Sequence, residues 1–209
     1  MARRTRPVVF LGPVEVSGYY AQLHQGFEAL GCEVVRLSMI PDERAYAPGT
    51  PFWPAALAMR LERASVSRLR ATPGSLAGRL LSKAASIALM VLAVRVILRC
   101  NVLVYGFGAS ITWRPALEYR FARLLKRRIV CIFHGSDSRP PYLDGHALAG
   151  DRGVDPADMA RLVRERHALV RRVDAAADVV VDNPFGAHFH GRRCVTLHAI
   201  GVPFARVPA

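Results

Sequence analysis

Polar side chains that are capable of catalysis or ligand binding follow one apolar run of the sequence. Residues 128–133 form that run, and the side chains after it are His134, Ser136, Asp137 and Arg139. A histidine in such a place donates a hydrogen bond to a substrate hydroxyl or stabilises developing charge. Asp137 would either orient a substrate hydroxyl or pair with Arg139 in a salt-bridged turn beside a structural histidine. Because open α/β sheets bind ligands at the carboxyl ends of their strands, the functional interpretation is favoured.

The start of the chain predicts a strand, a loop, a helix and a second strand. The strands are expected at 7–11 and 32–37, and the helix at 20–30 with Gly31 as its C-terminal cap. Gly18 lies in the loop, where a glycine lets a phosphate or hydroxyl approach the helix N-terminus. The G-x-G-x-x-G fingerprint is absent, so the loop alone favours an ordinary turn over a ligand site.

The rest of the chain repeats this alternation. Strands are expected at 101–107, 128–133, 178–181 and 195–200, and helices at 114–126 and 155–177. The alternation predicts the α/β class, with a Rossmann-like, mostly parallel sheet and helices on both faces. We expect residues 1–209 to form a single domain of this kind.

Residues 40–99 interrupt the alternation as a basic and apolar helical insertion. Five prolines predict loop with one or two short helices over residues 40–78. The run 80–98 is strongly apolar, but Lys83 and Arg95 leave only eleven uncharged residues between them, where a membrane span needs about 20. Three interpretations stay open, in this order: a buried core helix, a helix on a membrane surface and a spanning helix.

The charge of the chain predicts an anionic partner. The net charge is +13, and the stretch from Leu57 to Arg99 holds eight basic residues and one acidic residue. Nucleic acid, a membrane surface and a phosphorylated ligand fit this charge, and so does a merely solvated basic surface. No nucleic-acid motif or aromatic–basic stacking pattern occurs, so we expect an anionic membrane surface and no nucleic acid.

Cysteine and histidine usage predicts neither a disulfide framework nor a metal site. No C-x-x-C pair occurs among the four cysteines, which are typical of buried thiols in a reducing compartment. His188 and His190 lack a third ligand nearby in the sequence, and His198 is expected to pack within a strand. We therefore expect no metal and no cofactor. Without a signal-peptide pattern, the expected location is the cytoplasm, peripheral to the inner face of the cell membrane.

Several segments together resemble a known family. They are, in order, G-P-V-E-V-S-G-Y-Y-A-Q-L, the strand at 102–107, F-H-G-S-D-S-R-P-P-Y-L-D-G, A-D-V-V-V-D-N-P and I-G-V-P-F. Their sequence is similar to the N-terminal half of GT-B glycosyltransferases, most closely to bacterial enzymes of the family 4 kind that build cell-surface polysaccharides. The resemblance covers nearly the whole chain, and H-G-S-D-S-R-P-P-Y is its most specific part.

The resemblance implies a Rossmann-like domain that binds the acceptor during sugar transfer from a nucleotide-sugar to a polysaccharide or lipid-linked acceptor. In that family the first glycine loop, matched by Gly18, lies near the donor phosphates, and the histidine matched by His134 approaches the donor sugar. We take His134 and Asp137 as candidate catalytic residues. The candidate substrate-binding residues are Gly18, Tyr19, Ser136, Arg139 and Asn183.

One departure from the family pattern bears on activity. A complete GT-B enzyme has a second Rossmann-like domain after the I-G-V-P-F segment, which holds the nucleotide and carries a paired-glutamate motif, whereas this sequence ends at Ala209. We expect the donor to be supplied through a second domain or chain, and the 209 residues alone not to catalyse transfer. The alternatives are a non-catalytic module that binds a membrane or a partner, and a flavodoxin-like or nucleotide-binding protein.

Overall fold

The fold is an α/β domain built on a six-stranded, all-parallel sheet in the order β2-β1-β3-β4-β5-β6. The computed structural model describes residues 6–16, 18–39, 53–72, 75–112, 114–143 and 155–197. The strands are β1 Val8–Gly12, β2 Glu33–Arg36, β3 Val102–Gly106, β4 Arg128–Ile132, β5 Val179–Asp182 and β6 Val195–Thr196. The helices are α1 Tyr19–Ala29, α2 Trp53–Ala71, α3 Leu76–Arg99, α4 Pro115–Leu124 and α5 Pro156–Ala176, with short 3₁₀ turns at Pro141–Leu143 and Ala187–Phe189.

Helices cover both faces of the sheet, because alternate residues of each buried strand point in opposite directions. On one face, Phe10 and Tyr105 belong to a core shared with α3, α4 and α5. On the other face, Val9, Leu11 and Val104 pack against the first turns of α1. The predicted Rossmann-like sheet with helices on both faces is therefore confirmed.

The order of the strands creates a switch point between β1 and β3. From β1 the chain crosses to β2 on one side, and the later strands extend from β1 on the other side. The helices that follow β1 and β3 consequently lie on opposite faces, which opens a crevice at the carboxyl edge. The loops after β1, β3, β4 and β5 all meet at this edge because the strands are parallel.

The helical insertion is more regular than the sequence predicted. Instead of one or two short helices, a 19-residue helix, α2, precedes α3. Pro54 is the second residue of α2, where its missing N–H interrupts no helical bond, so it marks the start of the helix rather than breaking it. The other four prolines, and with them most of the predicted loop, lie outside the described residues.

The apolar helix α3 is buried on one side only. Leu89, Leu92, Val96 and Ile97 face the sheet, whereas Ile87 on the other side is 64% exposed. The expected core helix is thus half correct, and α3 is long and apolar enough to cross a membrane by length and composition. The predicted strand at 195–200 is described over Val195–Thr196, and His198 lies outside the described residues.

Candidate functional site

His134 and the loop that contains Gly18 lie together at the carboxyl edge of the sheet. The Tyr20 hydroxyl is 3.1 Å from His134 Nε2, and the rings of Tyr19 and His134 have centroids 5.0 Å apart. Gly18 immediately precedes α1 in a left-handed conformation, with φ of 78°. The expected meeting of the two loops is confirmed, while a role in substrate binding stays a prediction.

Aromatic rings surround the imidazole of His134. Phe107, which follows β3, has its ring centroid 4.7 Å from that of His134, and Tyr20 lies 5.8 Å away. Gly106 makes room for this arrangement, because a Cβ at position 106 would collide with the Tyr20 hydroxyl. The histidine is therefore held by residues from three segments, the turns after β3 and β4 and the first turn of α1.

Burial keeps the imidazole of His134 neutral. Burial lowers the pKa of His134 to about 4, and the negative charge of Asp182 offsets only part of that effect. Burial also raises the pKa of Tyr20 well above its ordinary value, so its hydroxyl keeps its proton. At pH 7 the pair is a neutral hydrogen-bonding unit, in which Tyr20 is buried and only the half-buried ring of His134 is accessible to a ligand.

Asp137 fixes the turn that follows β4. Its Oδ1 accepts hydrogen bonds from the backbone N–H groups of His134 and Gly135, each at 2.8 Å. Its Oδ2 is buried and has no hydrogen-bond partner among the described residues. Burial raises the pKa of Asp137 to about 6, and Asp182 adds to this, although the two N–H bonds oppose it.

The other predicted substrate-binding residues take different places in this turn. Ser136 is exposed at its tip. Arg139 does not form the salt bridge with Asp137 that the sequence offered as an alternative, because its Nε donates to the Gly135 carbonyl at 3.0 Å. Asn183, after β5, packs so closely against Gly135 that a side chain there would meet its amide. The structure thus brings all of them to one edge.

Glu15 is a polar residue of this edge that the sequence analysis missed. Its Oε1 accepts hydrogen bonds from the N–H groups of Val16 at 3.0 Å and Tyr20 at 3.1 Å, so it caps the N-terminus of α1. Burial raises the pKa of Glu15, and Arg36 lies 3.8 Å from its Oε2. A carboxylate at this helix terminus occupies the place where a phosphate would bind and repels it. No local pattern reveals this cap, because Glu15 lies four residues before the first residue of α1 rather than at the N-cap position.

A second buried polar cluster lies after β5. His190 is held between Asp174 and Asp182, with Nδ1 2.7 Å from Asp174 Oδ1 and Nε2 3.2 Å from Asp182 Oδ2. Burial alone would lower the pKa of His190, but its hydrogen bonds to the two carboxylates and their charges outweigh burial and raise it. His188 instead stacks on Phe189 with centroids 4.2 Å apart. Within the described ranges no cluster of His, Cys, Asp and Glu side chains is suited to a metal ion.

Comparisons with known proteins do not identify the chemistry of this site. No protein-family model, curated protein or solved structure matches it. The site must therefore be interpreted from its own chemistry: a neutral histidine in an aromatic setting, a turn fixed by a buried carboxylate and a helix terminus already occupied by an acid.

Proposed function

We propose that this chain is the acceptor-side domain of a GT-B glycosyltransferase, which transfers a sugar from a nucleotide-sugar to a polysaccharide or lipid-linked acceptor. The observation that carries the proposal is the contact between His134, after β4, and the first turn of α1 at the carboxyl edge of a doubly wound sheet. That edge is where folds of this architecture bind ligands. The resemblance agrees with the meeting of these two segments. It implies the donor phosphates at the Gly18 loop and the donor sugar at His134, and the proposal departs from it on both points.

The uncharged character of the site favours a sugar over a phosphate. Tyr19 and Phe107 offer aromatic surface to the apolar C–H face of a sugar ring. Neutral His134 forms a hydrogen bond with a sugar hydroxyl, but with a pKa of about 4 it is not the charged imidazolium that would act as a general acid at pH 7. Glu15 opposes phosphate at the α1 terminus, so the donor phosphates are held elsewhere, by a second domain or chain.

Asp137 acts in this proposal through the turn rather than on the substrate. Its free Oδ2 is buried, so a ligand at the surface does not reach it. Its Oδ1 fixes the backbone that carries the imidazole. We therefore assign His134 a contact with the acceptor sugar, in place of the donor sugar that the resemblance implies, and Asp137 the positioning of His134.

Nuclear magnetic resonance of the histidine rings tests this function. Oligosaccharides and nucleotide-sugars are titrated separately into the purified chain, and the His134 signal is identified from the His134→Ala variant. We expect saccharides to shift the His134 signal, and the signal of His167, which is exposed on α5, to stay in place as an internal control. Nucleotide-sugars that shift His134 while saccharides do not would contradict the acceptor-side assignment.

A second candidate, a membrane-binding module, is favoured by α3. Its outward side exposes large apolar residues close to basic residues, and no acidic residue occurs in the helix. The exposed apolar residues are Leu76, Leu80, Ile87, Met90, Val91 and Leu98. Such a helix inserts its apolar side into the interface, and each nearby Lys or Arg adds about 1 kcal/mol at an anionic surface.

Vesicle co-sedimentation separates this candidate from the first. Binding should rise with the anionic lipid content, fall with salt and disappear in a Leu80→Gln, Ile87→Gln double variant. Leu117→Gln, at an exposed leucine of α4, is the matched control and should bind as the wild type does. Equal binding to neutral vesicles, or none to anionic ones, would exclude the membrane-binding candidate.

A further inference from the structure

A cavity of about 750 Å³ lies beside α2, away from His134. Its apolar lining comes from Met39, Met59 and Val66, and its polar lining includes Glu62, Arg63 and Arg70. The volume falls within the range of about 300–1,000 Å³ that is usual for small-molecule sites. The cavity is thus large enough for a ligand that has both an apolar part and a charged part.

This side of α2 exposes Arg63, Val66 and Arg70. An adjacent side of the helix meets α3, where Ser65 Oγ donates to the Gly78 carbonyl at 2.9 Å and Leu69 packs over Gly78. Met59, Arg63, Val66 and Arg70 follow at intervals of four, three and four residues, which places them on one face. At 1.5 Å per residue this face is about 16 Å long.

The charges on that face favour an anion. Neither Arg63 nor Arg70 forms an ion pair within the described part of the chain, unlike Arg161 on α5, which pairs with Asp158 and Glu165. Glu62 is the one acidic residue in the described lining, so the two arginines leave a surplus of positive charge. A guanidinium group binds phosphate oxygens through two parallel hydrogen bonds and is suited to that head group.

One lining residue of the cavity contacts the loop after β1, at the edge of the sheet that carries the candidate site. Met39 follows β2, and its N–H donates to the carbonyl of Pro13 at 2.8 Å. Pro13 belongs to the loop after β1, which also contains Glu15 and Gly18. A ligand seated against Met39 therefore lies next to the loop that leads to Tyr19 and Tyr20.

We propose that this cavity binds an amphipathic phosphate, with the phosphate on Arg63 and Arg70 and a hydrocarbon chain along Met39, Met59 and Val66. The assignment rests on the proposed function, because it identifies the acceptor as lipid-linked rather than as a free polysaccharide. The occupant is a single lipid molecule taken into the cavity, in contrast to the bilayer surface that α3 would meet.

Calorimetric titration with decyl phosphate, below its micelle-forming concentration, tests the proposal. The wild type should bind decyl phosphate more tightly than decyl maltoside, which shares the chain but lacks the charge. Charge-assisted hydrogen bonds of this strength predict at least a tenfold loss of affinity in an Arg63→Gln, Arg70→Gln double variant. Arg68→Gln is the matched control, since Arg68 is exposed on the same helix but does not line the cavity, and it should stay within twofold of the wild type.

The apolar half of the cavity is tested separately. Val66→Asn should weaken binding of decyl phosphate and leave binding of inorganic phosphate unchanged. Val66, Arg63 and Arg70 are all exposed, so these variants should fold, which thermal melts verify. Three outcomes would each overturn the proposal: equal affinity for decyl phosphate and decyl maltoside, unchanged affinity in the Arg63→Gln, Arg70→Gln double variant, or binding to anionic vesicles but not to decyl phosphate. Failure here with an intact saccharide response at His134 would leave the proposed function standing.

Discussion

His134 and Asp137 should make opposite contributions to the pH dependence of the free energy of unfolding. Burial lowers the pKa of His134 from 6.5 to about 4, so the unfolded chain binds the proton first and the native state loses stability as the pH falls through that window. Burial raises the pKa of Asp137 from 3.8 to about 6, so the native state loses stability as the pH rises through that window.

The two contributions are similar in size. At 1.36 kcal/mol per pH unit, the change in the pKa of His134 corresponds to about 3 kcal/mol, and that of Asp137 also to about 3 kcal/mol. Between pH 7 and pH 4, each group should change the free energy of unfolding by about 2–3 kcal/mol, His134 lowering it and Asp137 raising it as the pH falls. In the wild type the two therefore nearly cancel, and only variants reveal them.

Single variants separate the two contributions. Relative to the wild type, His134→Ala should gain about 2–3 kcal/mol in unfolding free energy as the pH falls from 7 to 4, because the variant no longer buries a group that resists protonation. Asp137→Asn should gain about 2 kcal/mol of unfolding free energy relative to the wild type as the pH rises from 4 to 7, because asparagine carries no charge to bury.

Urea unfolding followed by circular dichroism at pH 4, 5, 6 and 7 measures these differences. Other titrating groups cancel when each variant is compared with the wild type at the same pH. His188→Ala is the control for replacing an exposed histidine near the same edge. Differences from the wild type that do not change with pH, or that have the same sign for both variants, would refute the reasoning.

Two further predictions concern the surroundings of the site. Gly106→Ala should lower the unfolding free energy by about 1–3 kcal/mol and shift the ring signals of His134, because its Cβ would displace the Tyr20 hydroxyl. Gly26→Ala, at a helical position with open space, is the control and should not destabilise the protein. A Gly106→Ala protein as stable as the wild type would contradict the close approach. His190→Gln should cost about 3–5 kcal/mol near pH 6 by leaving two buried carboxylates without their partner. Since the pKa of His190 is raised, its charged form stabilises the native state below pH 6.5, and this stabilisation is lost as the pH rises through the native pKa. The unfolding free energy of His190→Gln should lack this decrease with rising pH. A variant with the same pH profile as the wild type in urea unfolding would argue against the pairing.

Much of the fold is predictable from the sequence because its signals are local. Apolar runs such as residues 8–12 and 102–106 mark buried strands, and Gly31 and Pro156 mark a helix end and a helix start. The parallel direction of the strands then places the loop at Gly18 and the turn at His134 on one edge without any knowledge of side-chain contacts.

The remaining features depend on contacts that local patterns do not contain. His190 pairs with residues 8 and 16 positions away in the sequence, so its carboxylate partners are visible only in the folded chain. Glu15 caps α1 from a position outside the helix, whereas a capping side chain is normally sought directly before the first helical residue, Tyr19. The face of α2 that lines the cavity is set by tertiary packing, since Ser65 and Leu69 hold an adjacent side of that helix against α3.

The most direct test of the central claim is sugar transfer restored to a cell extract that lacks this chain. Purified wild-type protein, added with labelled nucleotide-sugars, should restore incorporation of label into glycan or lipid-linked product. His134→Ala, shown by thermal melts to be folded, should restore at least about 100-fold less, as expected for the loss of a positioned hydrogen-bonding group in a transfer site. His188→Ala should restore as much as the wild type. Full restoration by His134→Ala, or no dependence of incorporation on the added chain, would contradict the account.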